Sequence, residues 1–243
     1  MHACYVLPSH IVSPVIHIPD SERHHLIRVC RLSAGDSVLV FDGQGNRYVV
    51  SLGATNTSHL VAHILECCFV PATPPHITLF QGLPKSNKMD TIVQKGTEIG
   101  VNRVVPVNCE RSVPKPDNMA ERKRVQRWQR IADEAAKQCK RPRLVEIQPP
   151  LDFDAALEYA READLSLMLW EAESSQHMKQ VLREHNKPES VGLFVGPEGG
   201  FSPREVALAT EKGWRTVRVG PNTLRTETAA IVGIVLVMYE LGA

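Results

Sequence analysis

The sequence predicts an α/β protein in which a parallel sheet, covered by helices on both faces, follows a smaller β domain. Three observations predict this fold. The chain has 243 residues, of which 43% are hydrophobic, and this is enough for a sizeable core. From Val38 to Leu65, short β-branched segments are separated by turn residues. Beyond residue 75, short apolar runs alternate with helical patterns.

The smaller β domain is predicted from three segments. Residues 37–41 and 48–52 flank the turn cluster Asp42–Asn46, whose glycines can adopt positive φ, and residues 59–65 form a third strand. We expect a small antiparallel sheet or barrel. The proline-rich segment Pro71–Pro75 can continue neither a strand nor a helix. The sequence therefore predicts two domains, residues 1–72 and residues 73–243.

The second domain is predicted to contain six buried strands with helices between them, which indicates a parallel, doubly covered sheet. The expected strands are His76–Leu83, Arg103–Val107, Leu144–Gln148, Leu165–Trp170, Val191–Gly196 and Thr216–Gly220. Apolar residues from Met89 to Ile99 follow one helical face that stops at Gly100. The run Ser202-Pro203-Arg204-Glu205 has the pattern of a capping box, and Gly213 ends that helix.

Composition and charge exclude several classes of protein. Lys and Arg number 28 against 27 Asp and Glu, so the net charge of +1 does not by itself indicate a polyanionic partner. The longest apolar run, Ala229–Met238, is too short to span a membrane. Met1–Ile18 lacks Lys and Arg and contains two prolines, unlike a secretory or transit peptide, so we expect a cytoplasmic protein. The six cysteines lack C-x-x-C spacing, and we expect reduced thiols and no metal site.

Ligands of open parallel sheets bind beyond the carboxyl ends of strands, and three loops there are unusual, the first being Trp170–Glu173 after the strand that starts at Leu165. Gly196–Phe201 has three glycines that let its backbone approach a ligand, although a tight turn is the alternative. Gly220–Arg225 leads into an apolar helix, Glu227–Leu241, with Thr226 as its expected N-cap. That helix must be buried on most faces, either by its own sheet alone or by its sheet together with a second subunit. Arg225 is either a functional cation or half of a structural ion pair.

Five motifs carry a resemblance to a known family. They are Leu193–Phe201, Leu224–Ala230, Lys95–Val101, Glu110–Val113 and Asp133–Gln138, and they include the strings GPEGGFS and LRTETA. Together, and with GPEGGFS preceding LRTETA, they resemble the ribosomal RNA small subunit methyltransferase E family, which belongs to the SPOUT class of RNA methyltransferases. The similarity extends over nearly the whole chain.

The resemblance implies a fold, a cofactor and a substrate. It implies a PUA-like RNA-binding N-terminal β-barrel domain and a SPOUT-type parallel sheet with a C-terminal deep trefoil knot. It also implies a homodimer that uses S-adenosylmethionine to methylate N3 of one uridine in small-subunit (16S) ribosomal RNA. The residues expected to bind the cofactor are Trp170, Glu171, Gly196, Pro197, Gly199, Gly200, Val219, Gly220, Leu224, Arg225 and Thr226.

An independent signal for RNA lies between Glu121 and Arg143, where nine Lys or Arg residues stand against three Asp or Glu. Helical spacing places Lys123, Arg127, Arg130, Lys137 and Arg141 in one stripe that could contact phosphates. Val125, Trp128, Ala132, Ala135 and Cys139 fall on the opposite, apolar face. Arg23, Lys85, Lys88 and Arg111 are candidates to extend the stripe. A solvated helix face is the alternative.

Methylation at N3 requires that uridine leave its base pair and lose a proton. A cation beside a carbonyl oxygen of the base would stabilise the developing anion, and we assign Arg225 to this role. A carboxylate or water could take the proton, and Glu98 and Glu198 are the candidates. Two other functions stay open. One is a SPOUT enzyme acting on another RNA position or a ribose 2′-hydroxyl, and the other is a non-catalytic RNA-binding assembly factor.

Overall fold

A computed structural model of the chain describes residues 1–55, 59–112, 118–185 and 187–242. Val113, the last residue of one motif above, lies outside these ranges. The chain divides into two compact units. The first comprises Met1–Ala72 and Ala136–Leu144, and the second comprises Thr73–Ala135 and the residues from Val145 onwards. The sequence did not indicate that Ala136–Leu144 would group with the first unit.

The first unit is a six-stranded sheet with a short helical segment. Its elements are β1 (Ala3–Tyr5), β2 (Ile11–Val12), β3 (Val15–Ile18), α1 (Asp20–His24), β4 (Ser37–Phe41), β5 (Asn46–Leu52) and β6 (Leu60–Phe69), with a 3-10 turn at Pro8–His10 and a π-helical turn at His25–Val29. The strand order is β1-β4-β5-β6-β3-β2, and every pair except the parallel β1–β4 pair is antiparallel. The antiparallel β4–β5–β6 arrangement confirms the sequence-based prediction.

The second unit is a seven-stranded, fully parallel sheet. Its strands are β7 (His76–Gly82), β8 (Arg103–Asn108), β9 (Glu146–Ile147), β10 (Leu151–Asp152), β11 (Leu165–Leu169), β12 (Ser190–Val195) and β13 (Arg215–Val217). The order is β10-β8-β7-β12-β11-β13, with β9 also paired to β8. The helices are α2 (Lys88–Ile99), α3 (Asn118–Gln138), α4 (Phe153–Tyr159), α5 (Met178–Glu184), α6 (Pro203–Glu211) and α7 (Thr226–Leu241), with a 3-10 turn at Ala160–Glu162. The last three residues of α3 belong to the first unit.

Apolar cores on both faces of this sheet confirm that it is doubly covered. On one face, strand residues such as Leu79 and Leu193 pack with α2, α5 and α7. On the other face, Phe80 and Phe194 belong to an aromatic cluster with residues of α4 and α6. Within the described ranges, no helix is both long and apolar enough to cross a membrane.

Helix ends follow local sequence signals. The α2 helix stops at Gly100, whose φ of 136° suits only glycine. The α6 capping box forms as predicted, because Ser202 Oγ accepts from the Glu205 N–H while the Glu205 carboxylate accepts from the Ser202 N–H.

Four local predictions were wrong. The strand expected at Leu144–Gln148 is only Glu146–Ile147, because prolines at 142, 149 and 150 confine it. The last strand ends at Val217, so Val219 and Gly220 already belong to a loop. Thr226 is the first helical residue rather than the N-cap, which is Arg225. Cys139 was expected on the apolar face of a helix that continues to Arg141, but α3 ends at Gln138 and Cys139 is exposed.

Candidate active site

The three loops that were singled out from the sequence meet at one cavity of about 390 Å³. It opens at the carboxyl ends of β11, β12 and β13, as expected for a parallel sheet. Ten of the eleven predicted cofactor residues line it, namely Trp170, Glu171, Gly196, Pro197, Gly200, Val219, Gly220, Leu224, Arg225 and Thr226. Gly199 lies beside the cavity but does not line it.

The loop after β12 is held in a shape that requires its glycines. Gly200 has a φ of 65°, and a Cβ on it would lie 2.3 Å from Glu171 Oε1 of the loop after β11. Arg111 Nη1 donates to the carbonyl oxygen of Gly199 at 2.8 Å, and a Cβ on Gly199 would meet the Arg111 side chain. Arg111, a candidate for RNA contact, therefore also supports the cavity wall.

The loop after β13 presents free backbone donors. The N–H groups of Gly220, Asn222 and Leu224 donate to no residue within the described ranges. A Cβ on Gly220 would meet no heavy atom within 4 Å, so its Cα faces open space at the cavity wall. Leu169, Val195 and Val217 add apolar surface. A cavity with apolar walls and a few fixed donors suits a small organic ligand such as a nucleoside.

Gln81 is a buried polar residue beneath the cavity that the sequence analysis missed. It is the penultimate residue of β7 and is fully buried. Its Nε2 donates to Thr226 Oγ1 at 2.9 Å, and Thr226 Oγ1 donates to the carbonyl oxygen of Gly196 at 2.6 Å. The lone amide at the carboxyl end of this strand was the available signal, because that is the end of a strand where ligands bind.

Glu198 is held by two donors at the cavity wall. Its carboxylate accepts from the Lys85 N–H at 3.0 Å and from Lys88 Nζ at 2.8 Å. Burial raises the pKa of Glu198, but these hydrogen bonds outweigh burial, and the net pKa lies below its ordinary value. Lys88 also lines the cavity and lies 3.6 Å from Glu227 Oε2. The Lys88 ammonium thus links the loop after β12 to the first turn of α7.

The other two proposed catalytic residues are placed differently. Arg225 lines the cavity and is exposed, and its guanidinium forms no ion pair within the described ranges. The structural carboxylate pair that was the alternative for Arg225 is therefore not seen there. Glu98 does not line the cavity and pairs instead with Lys95 on the surface of α2.

The predicted basic stripe is only partly free. Lys123 and Arg130 are exposed, whereas Arg127, also exposed, pairs with Asp90 of α2. Trp128, Ala132 and Ala135 are buried as predicted.

In the first unit, the basic candidates have local partners or burial. Lys137 pairs with Glu22, and burial lowers the pKa of the half-buried Arg141. Arg23, on α1, is half-buried.

Comparisons with known proteins agree with this geometry. A family model described as an RNA methyltransferase domain matches residues 71–238, and one described as an RNA methyltransferase PUA domain matches residues 18–65. The chain is 36% identical to ribosomal RNA small subunit methyltransferase E of Aquifex aeolicus (strain VF5), over 81% of this chain and 82% of that relative. The ribosomal RNA small subunit methyltransferase E of Bacillus subtilis (strain 168) is 29% identical to the chain, over 94% of this chain and 91% of that relative.

A solved structure is similar over nearly its full length. It is the ribosomal RNA small subunit methyltransferase E of Neisseria gonorrhoeae bound to S-adenosyl methionine, with a TM-score of 0.85 and 27% identity over 98% of this chain and 97% of that chain. The resemblance noted in the sequence is confirmed. With a family model matching more than half of its length and a relative 36% identical over 81% of its length, the chain belongs to the ribosomal RNA small subunit methyltransferase E family of RNA methyltransferases.

Proposed function

We propose that the chain transfers the methyl group of S-adenosylmethionine to N3 of one uridine in small-subunit (16S) ribosomal RNA. The observation that carries this proposal is the convergence of the loops after β11, β12 and β13 on one cavity, in a member of this family. The proposed substrate would be met in the cytoplasm.

The cavity has the features needed to hold the cofactor. The free N–H groups of Gly220 and Leu224 can donate to an adenosyl group, and the open space at Gly220 leaves room for it. Trp170, Glu171, Gly196, Pro197, Val219 and Thr226 complete the walls. When bound, S-adenosylmethionine supplies an electrophilic methyl group on a sulfonium centre. The residues around it contribute by orienting the two reactants in line.

The uracil ring must lose its N3 proton as the methyl group arrives. Arg225, exposed at the cavity, is suited to stabilise the negative charge that develops on a uracil carbonyl oxygen. Glu198 is a weak base because its carboxylate is already hydrogen-bonded and its pKa is lowered. Glu98 is a surface residue paired with Lys95. We therefore assign the proton to water, and we assign Glu198 to holding Lys88 in place.

RNA recognition is assigned to both domains. We propose that residues 1–72 form an RNA-binding PUA-like barrel and that residues 73–243 form the catalytic domain. Exposed basic residues of α3, above all Lys123 and Arg130, would contact phosphates. The remaining candidates for RNA contact are Arg23, Lys85, Lys88, Arg111, Arg127, Lys137 and Arg141.

We further propose that the C-terminal segment forms a deep trefoil knot. Support comes from the path of the chain after β13, an edge strand of the sheet. The α7 helix returns from that edge to pack on the central strands β7 and β12, and Thr226 at its start bonds to Gly196 and Gln81.

A homodimer is proposed from the surface of α7. This helix keeps an exposed apolar side after the sheet has covered its other residues. A second copy of the chain could bury that side.

The test is methyl transfer from isotope-labelled S-adenosylmethionine to small ribosomal subunits and to naked RNA, with the modified nucleotide mapped by mass spectrometry. We expect one N3-methylated uridine. Label on a ribose or on another base would favour the other SPOUT activity. RNA binding without methylation or binding of S-adenosylmethionine would favour the assembly factor.

A further inference from the structure

Gln81 connects three structural elements beneath the cavity floor. Its side chain is 0% exposed, and its Nε2 lies 3.0 Å from the carbonyl oxygen of Gly82 and 3.4 Å from those of Val195 and Gly196. The fourth neighbour is Thr226 Oγ1, at 2.9 Å. The Oε1 atom of the same side chain is buried with no hydrogen-bond partner among the described residues, so it is the donating Nε2 group that suits this position, where the carbonyl ends of β7 and β12 and the Thr226 hydroxyl offer acceptors.

The Thr226 hydroxyl has its direction fixed by Gln81. The Nε2 group of Gln81 only donates, so Thr226 Oγ1 must accept in that contact. The single hydroxyl proton of Thr226 is then free for the Gly196 carbonyl oxygen, 2.6 Å away. Both Gly196 and Thr226 line the cavity, while Gln81 does not. The Gln81 amide thus holds two residues of the cavity wall without itself being in contact with the cavity.

Gly82, the residue after Gln81, lies in close contact with the loop after β12. A Cβ on Gly82 would lie 2.5 Å from Pro197 Cδ and 2.7 Å from Pro197 N. The end of β7 is therefore in direct contact with the loop that begins at Gly196. This close packing leaves no space between them, so the loop keeps a fixed position relative to Gln81. Arg225, the proposed catalytic cation, directly precedes Thr226. The Thr226 hydroxyl therefore also holds the N-terminus of α7 next to Arg225.

We propose that Gln81 is a positioning residue for methyl transfer, acting through the Thr226 hydroxyl to hold the Gly196 loop and the first turn of α7 in the arrangement that binds S-adenosylmethionine. The inference rests on the proposed function, because it assigns that cofactor to the cavity. A displacement of about 1 Å in such a site is enough to cost a large factor in rate or affinity. The alternative is that Gln81 only stabilises the fold.

The experiment compares variants of the full chain by calorimetric titration with S-adenosylmethionine and by thermal unfolding. Thr226→Val removes the hydroxyl at nearly constant volume, Thr226→Ser keeps it, and Gln81→Leu removes the amide. Thr97→Val is the matched control. Thr97 is also fully buried in a helix, its Oγ1 donates to the Val93 carbonyl oxygen at 2.8 Å, and it does not line the cavity.

We expect Thr226→Val and Gln81→Leu each to weaken cofactor binding about tenfold, the effect of one lost hydrogen bond. Thr226→Ser should recover most of that loss. The variant that combines Thr226→Val with Gln81→Leu should bind S-adenosylmethionine about as well as the single variant with the lower affinity, because both changes break the same hydrogen-bonded connection. Thr97→Val should lower the unfolding temperature by a similar amount and bind the cofactor like the wild type.

Other outcomes overturn the inference. Wild-type affinity in Thr226→Val and Gln81→Leu, with only a lower unfolding temperature, would make the network purely structural. Equal weakening by Thr226→Ser and Thr226→Val would rule out the hydroxyl as the connection. If Gln81→Leu does not fold, the two Thr226 variants and the Thr97 control still decide. A wild-type chain that does not bind S-adenosylmethionine would instead overturn the proposed function.

Discussion

The Arg225 guanidinium is exposed at the cavity wall and forms no ion pair within the described part of the chain. Arg225→Ala should therefore leave the unfolding temperature nearly unchanged, because no buried partner loses a contact. Methyl transfer should fall by about 10²- to 10³-fold, which is typical when a donor that stabilises a developing oxyanion is removed. Single-turnover rates on ribosomal RNA measure this effect.

Arg204→Ala is the control for this prediction. Arg204 is an exposed arginine in the first turn of α6 and does not line the cavity. Its removal should leave the rate of methyl transfer unchanged. Near-wild-type turnover in Arg225→Ala, or an equal loss in Arg204→Ala, would show that Arg225 is not the catalytic cation.

At the scale of single residues, the sequence predicted the residues of the cavity walls better than their chemistry. Glycines and Arg225 could be read from the strings GPEGGFS and LRTETA. The environment of a carboxylate could not, because it depends on residues distant in the chain. Glu198 is bonded to Lys85 and Lys88, more than a hundred residues earlier, and these contacts lower its pKa and weaken it as a base.

The loop after β11 is held by Glu173. One carboxylate oxygen accepts from the Ser175 and Gln176 N–H groups, and the other accepts from Thr216 Oγ1 at 2.6 Å. Burial raises the pKa of Glu173, but these hydrogen bonds outweigh it and lower the pKa to about 2. Because the folded-state pKa lies below the unfolded value, the stability that the carboxylate contributes is present above that unfolded value and lost as the pH falls towards 2.

Glu173→Gln removes this titration and tests the prediction. At pH 7 the variant should be less stable by roughly 1–3 kcal/mol, the usual contribution of hydrogen bonds to a charged group. The difference from the wild type should shrink as the pH falls from about 4.5 to 2. Denaturant unfolding across that range measures it. A difference that is constant with pH would show that the charge of Glu173 does not support the loop.

The basic face of α3 supports a prediction for RNA binding. Lys123 and Arg130 are exposed, whereas Arg127 is paired with Asp90, so charge reversal at Lys123 and Arg130 avoids breaking the contact with α2. Lys123→Glu combined with Arg130→Glu should weaken RNA binding. It should also reduce the slope of log affinity against log salt by about 1.4–1.8, which corresponds to two lost phosphate contacts.

Affinity for S-adenosylmethionine should stay unchanged in that variant, since neither residue lines the cavity. Arg204→Glu, a reversal at an exposed arginine in the first turn of α6, is the control and should leave RNA binding unchanged. Equal loss of RNA and cofactor binding would indicate misfolding, and an unchanged salt slope would make α3 an ordinary solvated helix.

At the scale of whole elements, the sequence succeeds where the signal is local. The Ser202–Glu205 capping box and the stop at Gly100 involve neighbours within a few residues, and both form. Prediction from the sequence fails where a contact with a residue distant in the chain determines the end of an element. Thr226 has the side chain of an N-cap, yet its hydroxyl bonds to Gly196 and Gln81, and the helix begins one residue earlier than expected.

At the scale of the molecule, long-range pairing is what the sequence cannot supply. Alternating apolar runs predict a parallel sheet, but not the order in which β7 lies between β8 and β12. Gln81 and Thr226 are 145 positions apart, and only that order brings them together. The grouping of Ala136–Leu144 with the first unit has the same origin, because it depends on contacts between distant segments rather than on composition.

The α7 helix supports a prediction about assembly. Its sequence is apolar almost all round, and the sheet side buries Ala230, Ile234 and Val237. Tyr239 is 80% exposed and Val235 is 42% exposed, and their spacing of four residues places them next to each other on one side of the helix. If a second copy covers this side, Tyr239→Ala should raise the dimer dissociation constant by about 30-fold or more, as for a central aromatic anchor.

Sedimentation velocity over a range of concentrations measures this change. Met119→Ala is the control, because Met119 is an exposed apolar residue on α3 rather than α7, and its removal should leave the dissociation constant unchanged. A wild-type chain that stays monomeric at tens of micromolar would contradict the dimer. A dimer insensitive to Tyr239→Ala would show that the chain pairs through another surface, and the apolar side of α7 would then need a different partner.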